Sequence, residues 1–423
     1  MTLASVLLAV LALPGILLIW SAISFQANYA KAKQTGLPIL TRYISPTNPL
    51  WMVCGSTITR TLSALGLCTT NFRRFYFFGW EANERHQVHV ELGPLFLLVS
   101  PGGNWLYVSD AEVIDNVLRH PKAFRRNMEQ MSVLNVYGKN LSTTDDEEWQ
   151  KHRKVTAVTF TEKNNELVWR ESLAQSNAML QYWKEHKGDL TKDTKVFTLN
   201  VLAAALFNKN YPFQGATEVK SESNKSSEPR EDAYNYRDSL SVILRFIIPI
   251  FVFGSEGLRA WWTPKSWKTA ADSVAVFRAY VTGLITEERD HISNGNQHNQ
   301  HLVAALVRAC ELEDAGDSEL TKESAHLPRR RDTTLTEEEI ISNLFVFAFA
   351  GNDTTAVSLT HLLVILAAYP EVQEWISEEI NHYLPSDDSS QWEYRTFSKL
   401  KRCLAVIVRA NLQQLVKKRL KLT

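Results

Sequence analysis

A chain of 423 residues, 45% hydrophobic and 22% charged, can bury a sizeable core and is composed like a folded globular protein, which excludes a disordered one. Lysine plus arginine and aspartate plus glutamate are 46 each, so the charge balance offers nothing to a nucleic-acid partner. Four cysteines, Cys54, Cys68, Cys310 and Cys403, are too few and too scattered for a disulfide framework or a structural zinc site, and point to a reducing, cytosol-facing environment.

Residues 3–25 carry no charge and are long enough to cross a bilayer as a helix. Pro14-Gly15 in the middle is tolerable there, because neighbours or a local kink absorb the lost bond. No basic residue precedes the run, while Lys31, Lys33 and Arg42 follow it. By the positive-inside rule the N-terminus lies outside and the bulk of the chain in the cytosol. A cleaved signal peptide competes with this reading but lacks its charged n-region and has too long an apolar run. Residues 1–27 are expected to be a transmembrane anchor.

Thr35-Gly36-Leu37-Pro38 and Ser45-Pro46-Thr47-Asn48-Pro49 read as a proline-punctuated linker leaving the membrane. Residues 95–100 and 104–108 are short apolar runs joined by Pro101-Gly102-Gly103, a hairpin signal. Ser109 with Glu112 reads as a capping box for a short helix stopping at His120-Pro121. From about residue 145 the pattern turns helical: 149–161 behind the acidic Asp145-Asp146-Glu147-Glu148, then 166–187, 196–207 and 270–292. Residues 218–232 read as a solvated loop.

Residues 240–253 are very apolar but contain Arg245 and Pro249, with Trp261, Trp262 and Trp267 close behind. They read equally as a segment dipping into the membrane interface or as a buried core helix. His298 and His301 sit in an Asn/Gln/His loop without a third ligand and read as polar filler; Arg329-Arg330-Arg331 reads as a solvated run. Thr336 with Glu339 is a second capping box, opening a helix that runs to about Tyr369-Pro370, followed by helices at 371–383 and from 397.

Within that long helix, Phe345 to Phe349 lead into Ala350-Gly351-Asn352-Asp353-Thr354-Thr355. A carboxylate and two hydroxyls after an apolar run are costly to bury without partners, which marks a site. Gly351 costs about 1 kcal/mol of helix propensity relative to alanine and marks a close approach or a kink. On pattern alone, a core helix with back-bonded threonines explains the stretch equally well.

The stretch 350–355 resembles the oxygen-activation motif Ala/Gly-Gly-x-Asp/Glu-Thr-Thr/Ser of the cytochrome P-450 family. Trp149-Gln150-Lys151-His152-Arg153, preceded by Tyr137-Gly138-Lys139-Asn140-Leu141, is similar to the family's Trp-x-x-x-Arg helix. Phe397-Ser398-Lys399-Leu400-Lys401-Arg402-Cys403-Leu404-Ala405-Val406-Ile407 looks like the lead-in to its Glu-x-x-Arg helix. The order of anchor, proline-rich linker, hairpin and many helices agrees, in a style that points to a fungal member.

The resemblance implies a mainly α fold with a small antiparallel β region. It implies a haem-thiolate monooxygenase that inserts one oxygen atom into a lipophilic small molecule, in secondary metabolism and on the endoplasmic reticulum. It assigns Asp353 and Thr354 to proton delivery, Ala350, Gly351 and Thr355 to the oxygen and substrate groove, and Trp149 and Arg153 to the haem propionates. Haem b is the implied cofactor, and a flavin reductase in the same membrane the implied electron donor. The chemistry suits the residue types: a guanidinium makes a charge-assisted pair with a propionate, an indole N–H gives a directional bond, and a spacing of four puts both on one helix face. Without the resemblance, the same pair reads as an arginine stacked on a surface tryptophan.

The pattern breaks near Ile407. Val408 to Leu415 replace Glu-x-x-Arg, no acid follows Glu393, and no Phe-x-x-Gly loop supplies a thiolate cysteine. The last 16 residues carry five basic side chains and no acidic one. The expectation is a family domain over 28–407 that is incomplete, a divergent basic tail over 408–423, no metal ligand in the chain and impaired catalysis. A lipid-binding tail is the alternative for 408–423. The alternative for the chain is a non-catalytic, membrane-anchored helical remnant or partner-binding protein.

Overall fold

The computed structural model describes residues 3–157, 159–215, 231–294, 301–308, 335–386 and 388–415. Cys310, His298, Arg329-Arg330-Arg331, residues 218–230 and the final residues 416–423 lie outside this set. The described residues divide into two compact units, one up to residue 130 and one from residue 131.

In the first unit, α1 (Leu3–Lys33) runs 31 residues without a break through Pro14, and Ile16, Leu17, Leu18, Ile19, Trp20 and Ile23 are exposed on it. A three-stranded sheet follows, in the order β1 (Ile39–Thr41), β2 (Leu95–Ser100), β3 (Gly103–Val108). β2 and β3 form the expected antiparallel hairpin, with Leu97 opposite Leu106, and Gly103 turns the chain at φ +135°. β1 was legible only as linker. It pairs parallel to β2, so the sheet is mixed and not purely antiparallel. β3 pairs with β2 alone among the described residues.

Between the strands lie four helices, α2 (Pro49–Ala64), α3 (Thr70–Phe75), α4 (Trp80–Glu84) and α5 (Gln87–Leu92). Asn48 caps α2 by accepting from the Trp51 N–H, with Pro49 at the first helical position, where its missing donor is harmless. Phe75, Tyr76, Trp80, Val88, Phe96 and Leu98 form this unit's core. Helix α6 (Ala111–Arg119) is capped by Asp110 and not by Ser109, because Asp110 Oδ1 accepts from the Val113 N–H at 2.9 Å. The chain passes through α7 (Met128–Met131) into the second unit.

The second unit is helical: α8 (Asp146–Ala157), α9 (Glu162–Glu185), α10 (Leu190–Phe207), α11 (Glu231–Arg245), α12 (Ile247–Leu258), α13 (Lys265–Ser293), α14 (Glu337–Ala368), α15 (Pro370–Tyr383) and α16 (Lys401–Leu415). Thr161 and Asp189 cap α9 and α10, and Asn208 in the left-handed region ends α10. The apolar stretch expected as one segment at 240–253 is two helices meeting at 104° about Phe246. The bend leaves Pro249 in the first turn of α12, where no intrahelical donor is required.

The core gathers on α10, α13 and α14. Tyr137, Phe277 and Phe345 interlock, with ring centroids 5.3–5.8 Å apart, and the Tyr137 hydroxyl donates to the Val274 carbonyl at 2.9 Å. Each of the two fully buried phenylalanines contributes about 1.5–3 kcal/mol through burial alone. Helix α14 spans 32 residues, about 48 Å at 1.5 Å per residue. It is long and apolar enough to cross a bilayer, yet 56% of its most apolar window is buried inside the protein, so here it serves as the unit's central core helix.

Candidate active site

Helix α14 starts on the capping box expected at Thr336 and Glu339, with both reciprocal bonds present. It then runs unbroken through Ala350-Gly351-Asn352-Asp353-Thr354-Thr355. The six residues divide between two directions. Gly351 and the fully buried Asn352 face α10, whereas Ala350, Thr354 and Thr355 are exposed and Asp353 sits at the border. A Cβ on Gly351 would lie 2.8 Å from Leu202 Cδ2, so the glycine serves a close helix–helix approach without kinking α14.

The α10–α14 seam carries polar contacts beside its apolar ones. Thr198 Oγ1 donates to Asn352 Oδ1 at 3.3 Å, and the Thr194 and Thr360 hydroxyls meet at 2.8 Å. The Asn352 amide nitrogen is buried and has no hydrogen-bond partner among the described residues. Lys195 Nζ pairs with Asp353 Oδ1 at 2.9 Å, both side chains being about two-fifths exposed. The Thr354 hydroxyl donates to the Ala350 carbonyl at 2.6 Å, the back-bond common to helical threonines.

Helix α8 carries Trp149 and Arg153 on one face, with the Arg153 guanidinium 5.2 Å from the Trp149 ring centroid. Trp149 is half-buried and Arg153 exposed, and no carboxylate pairs with Arg153 among the described residues. The opposite face docks on the first turns of α14. Lys151 Nζ lies 3.1 Å from Glu339 Oε2, the fully buried His152 meets Asn343 at 2.8 Å, and Phe160 lies 5.6 Å from Phe347. Asn140, from the segment preceding α8, donates to Ser342 Oγ at 3.1 Å, and Ser342 donates to the Gly138 carbonyl at 2.7 Å. The structure thus docks the helix that carries one motif onto the helix that carries the other. The docking point at Asn343 and Asp353 are ten residues apart, about 15 Å along the axis.

For a haem, the donor set fits on one side. An exposed guanidinium without a carboxylate, beside an indole, can take a propionate in a charge-assisted bond. The described cysteines do not complete the other side. Cys54 and Cys68 lie on α2 and in the loop behind it, and Cys403 sits in the first turn of α16. Burial, with the Glu379 carboxylate beside it, raises the Cys403 thiol above its usual range, away from the thiolate an iron would need. Glu379 instead accepts the Arg402 and Cys403 backbone N–H groups at 2.9–3.1 Å, anchoring the start of α16. No group of three or more His, Cys, Asp or Glu side chains is placed to hold a metal among the described residues, and His301 pairs with Glu288 at 3.3 Å.

Lys195, His152 and Asn343 are the site neighbours that motif spacing missed. The one signal for Lys195 was the 194, 195, 198, 202 spacing, which places these residues on a single face of α10.

A family model for cytochrome P450 matches residues 80–407. A cytochrome P450 monooxygenase of Arthrobotrys oligospora is 27% identical over 370 residues, covering 84% of this chain and 60% of that protein. A phomenoic acid biosynthesis cluster cytochrome P450 monooxygenase of Leptosphaeria maculans is 25% identical, covering 89% and 65%. Mouse cytochrome P450 3A16 is 24% identical, covering 83% and 64%. The chain spans about three fifths of the length of these curated relatives. With the family model covering well over half of its length, and both diagnostic helices docked on each other, the chain belongs to the cytochrome P450 family.

Proposed function

We propose that the chain carries the distal half of a haem-dependent monooxygenase site acting on a lipophilic small molecule. The observation that supports this most is the docking of α8, whose outer face presents Trp149 and Arg153, through Lys151 and His152 onto α14, the helix that carries the acid–alcohol pair Asp353-Thr354. Haem, when bound, would supply the chemistry of dioxygen reduction and oxygen transfer. Arg153 and Trp149 would hold its propionates. Asp353, in contact with solvent and with Lys195, takes up a proton at a carboxylate oxygen. Thr354 breaks its bond to the Ala350 carbonyl and relays a proton from its hydroxyl. Ala350 and Thr355 form the exposed wall beside them, whereas Gly351, expected in the same groove, packs instead on Leu202 of α10.

Around this core the reading adds a membrane anchor in α1, an endoplasmic-reticulum membrane with the domain on the cytosolic side, a flavin reductase as electron donor, and a setting in secondary metabolism. The long run of exposed apolar side chains on α1 supports the anchor. Burial and Glu379 raise the Cys403 thiol, so this cysteine does not offer an iron its thiolate. The alternative reading is a membrane-anchored helical protein without catalysis, or one that binds a partner through its helices.

Haem titration of the detergent-solubilised full chain tests the first reading. Arg153→Leu is expected to weaken haem binding at least tenfold, while the equally basic Arg170→Leu on α9 leaves it unchanged. Equal affinity for the wild type and Arg153→Leu would overturn the assignment and leave the non-catalytic reading.

A further inference from the structure

Three consecutive residues of α8 have opposite fates. Lys151 and His152 reach the distal helix α14, and Arg153 turns outward over Trp149. A helix turns 100° per residue, so rotating α8 by one position would drive Arg153 toward the buried seam. Something must hold that rotation, and the hydrogen bonds around His152 are arranged to do so.

The Asn343 side chain has no freedom to flip. Its oxygen accepts the Leu141 N–H at 2.9 Å and its nitrogen donates to the Glu339 carbonyl at 2.7 Å. The second amide N–H therefore donates to His152 Nδ1 at 2.8 Å, and Nδ1 is an acceptor. The neutral imidazole then carries its proton on Nε2, which points at Glu339 Oε1 from 3.7 Å and has no hydrogen-bond partner among the described residues. Glu339 Oε2 is occupied by Lys151 Nζ and by the Thr336 N–H of the capping box.

We propose that His152, as a neutral imidazole keyed to Asn343, is the positioning residue that fixes the rotation of α8 on the distal helix and so places Trp149 and Arg153. This rests on the propionate role proposed above for that pair. A proton on Nδ1 would set N–H against N–H at Asn343 and could be accommodated only by giving up the bonds to Leu141 and Glu339. Glu339 on α14 and Glu148 on α8 favour the charged form, and burial and Lys151 disfavour it. Burial dominates and holds the imidazole below its ordinary range. The joint is therefore closed at neutral pH and opens on acidification.

The test uses the full chain in detergent and two readouts. Side-chain nitrogen NMR is expected to find His152 neutral with its proton on Nε2 at pH 7. Asn343→Asp, which replaces the donor with a carboxylate, is expected to raise the His152 midpoint by at least one pH unit. A midpoint that does not move overturns the joint, whatever the haem result. In haem titration, His152→Leu is expected to weaken binding as much as Arg153→Leu, and the double variant no further. His152→Asn, whose oxygen replaces Nδ1 as acceptor, is expected to restore binding to within about threefold of wild type. Should His152→Leu fail to fold, the Asn343→Asp titration and the His152→Asn affinity decide. Should Arg153→Leu bind haem normally while Asn343→Asp shifts the midpoint, the joint stands and the propionate role falls.

Discussion

Gly351 lies where α14 packs tightly on α10, and the nearest obstacle to a side chain there is Leu202. Gly351→Val is expected to destabilise the chain by about 1–3 kcal/mol, through overpacking and a β-branched residue in a helix. Adding Leu202→Ala should recover part of that loss, which thermal melts of the single and double variants measure. Additive losses would show that Leu202 is not the obstacle. Asp353, Thr354, Trp149 and Arg153 stood out in the sequence through the motifs they resemble, not through spacing alone. Their partners did not. Lys195 lies 158 positions from Asp353, and His152 lies 191 from Asn343, so only the fold brings them within 3 Å. The exposed Lys195–Asp353 pair contributes at most about 1 kcal/mol to stability, so its significance is where it directs the carboxylate.

At the scale of elements, the helices with strong ends were readable and those defined by tertiary packing were not. The α14 start was legible because Thr336 and Glu339 carry a local capping box, and both of its bonds form. Thr336→Ala is expected to cost about 0.5–2 kcal/mol, seen as a lower melting temperature with the far-ultraviolet helix signal retained; no change would remove the cap from the account. The 104° break at Phe246 was not legible, because an apolar run with one proline fits a continuous or a broken helix until its neighbours are known. β1 was missed for a related reason: three residues carry no periodicity, and their strand exists only through pairing with β2. The cap of α6 moved from Ser109 to Asp110, the usual one-residue uncertainty of helix ends.

For the molecule as a whole, two buried imidazoles make stability depend on acid. Burial holds His152 below its ordinary range; burial, then Arg308, pushes His301 down to about 4. Glu288 at 3.3 Å favours the charged His301, but its other oxygen lies 3.7 Å from Arg308, which offsets that pull. Both histidines bind protons near 6.5 when unfolded and lower when folded, so between these values the unfolded chain takes up more protons. Stability is therefore complete above about pH 6.5 and falls as pH drops toward 4, with a ceiling of about 3 kcal/mol from His301. Denaturant melts across that range check the slope, and His301→Asn should flatten it; a wild-type profile without slope would contradict the buried neutral histidines.

Exposed Val364, Leu404, Ile407 and Val408 on the second unit, and Ile16 to Ile23 on α1, predict that the chain needs detergent to stay dispersed. The proposed distal haem site on α14 is not completed by a thiolate from the described cysteines. The reduced carbon-monoxide spectrum of the full chain, solubilised and supplied with haem, tests it most directly. Bound haem without a thiolate-type Soret band is expected, and a normal thiolate-type band would overturn the assignment.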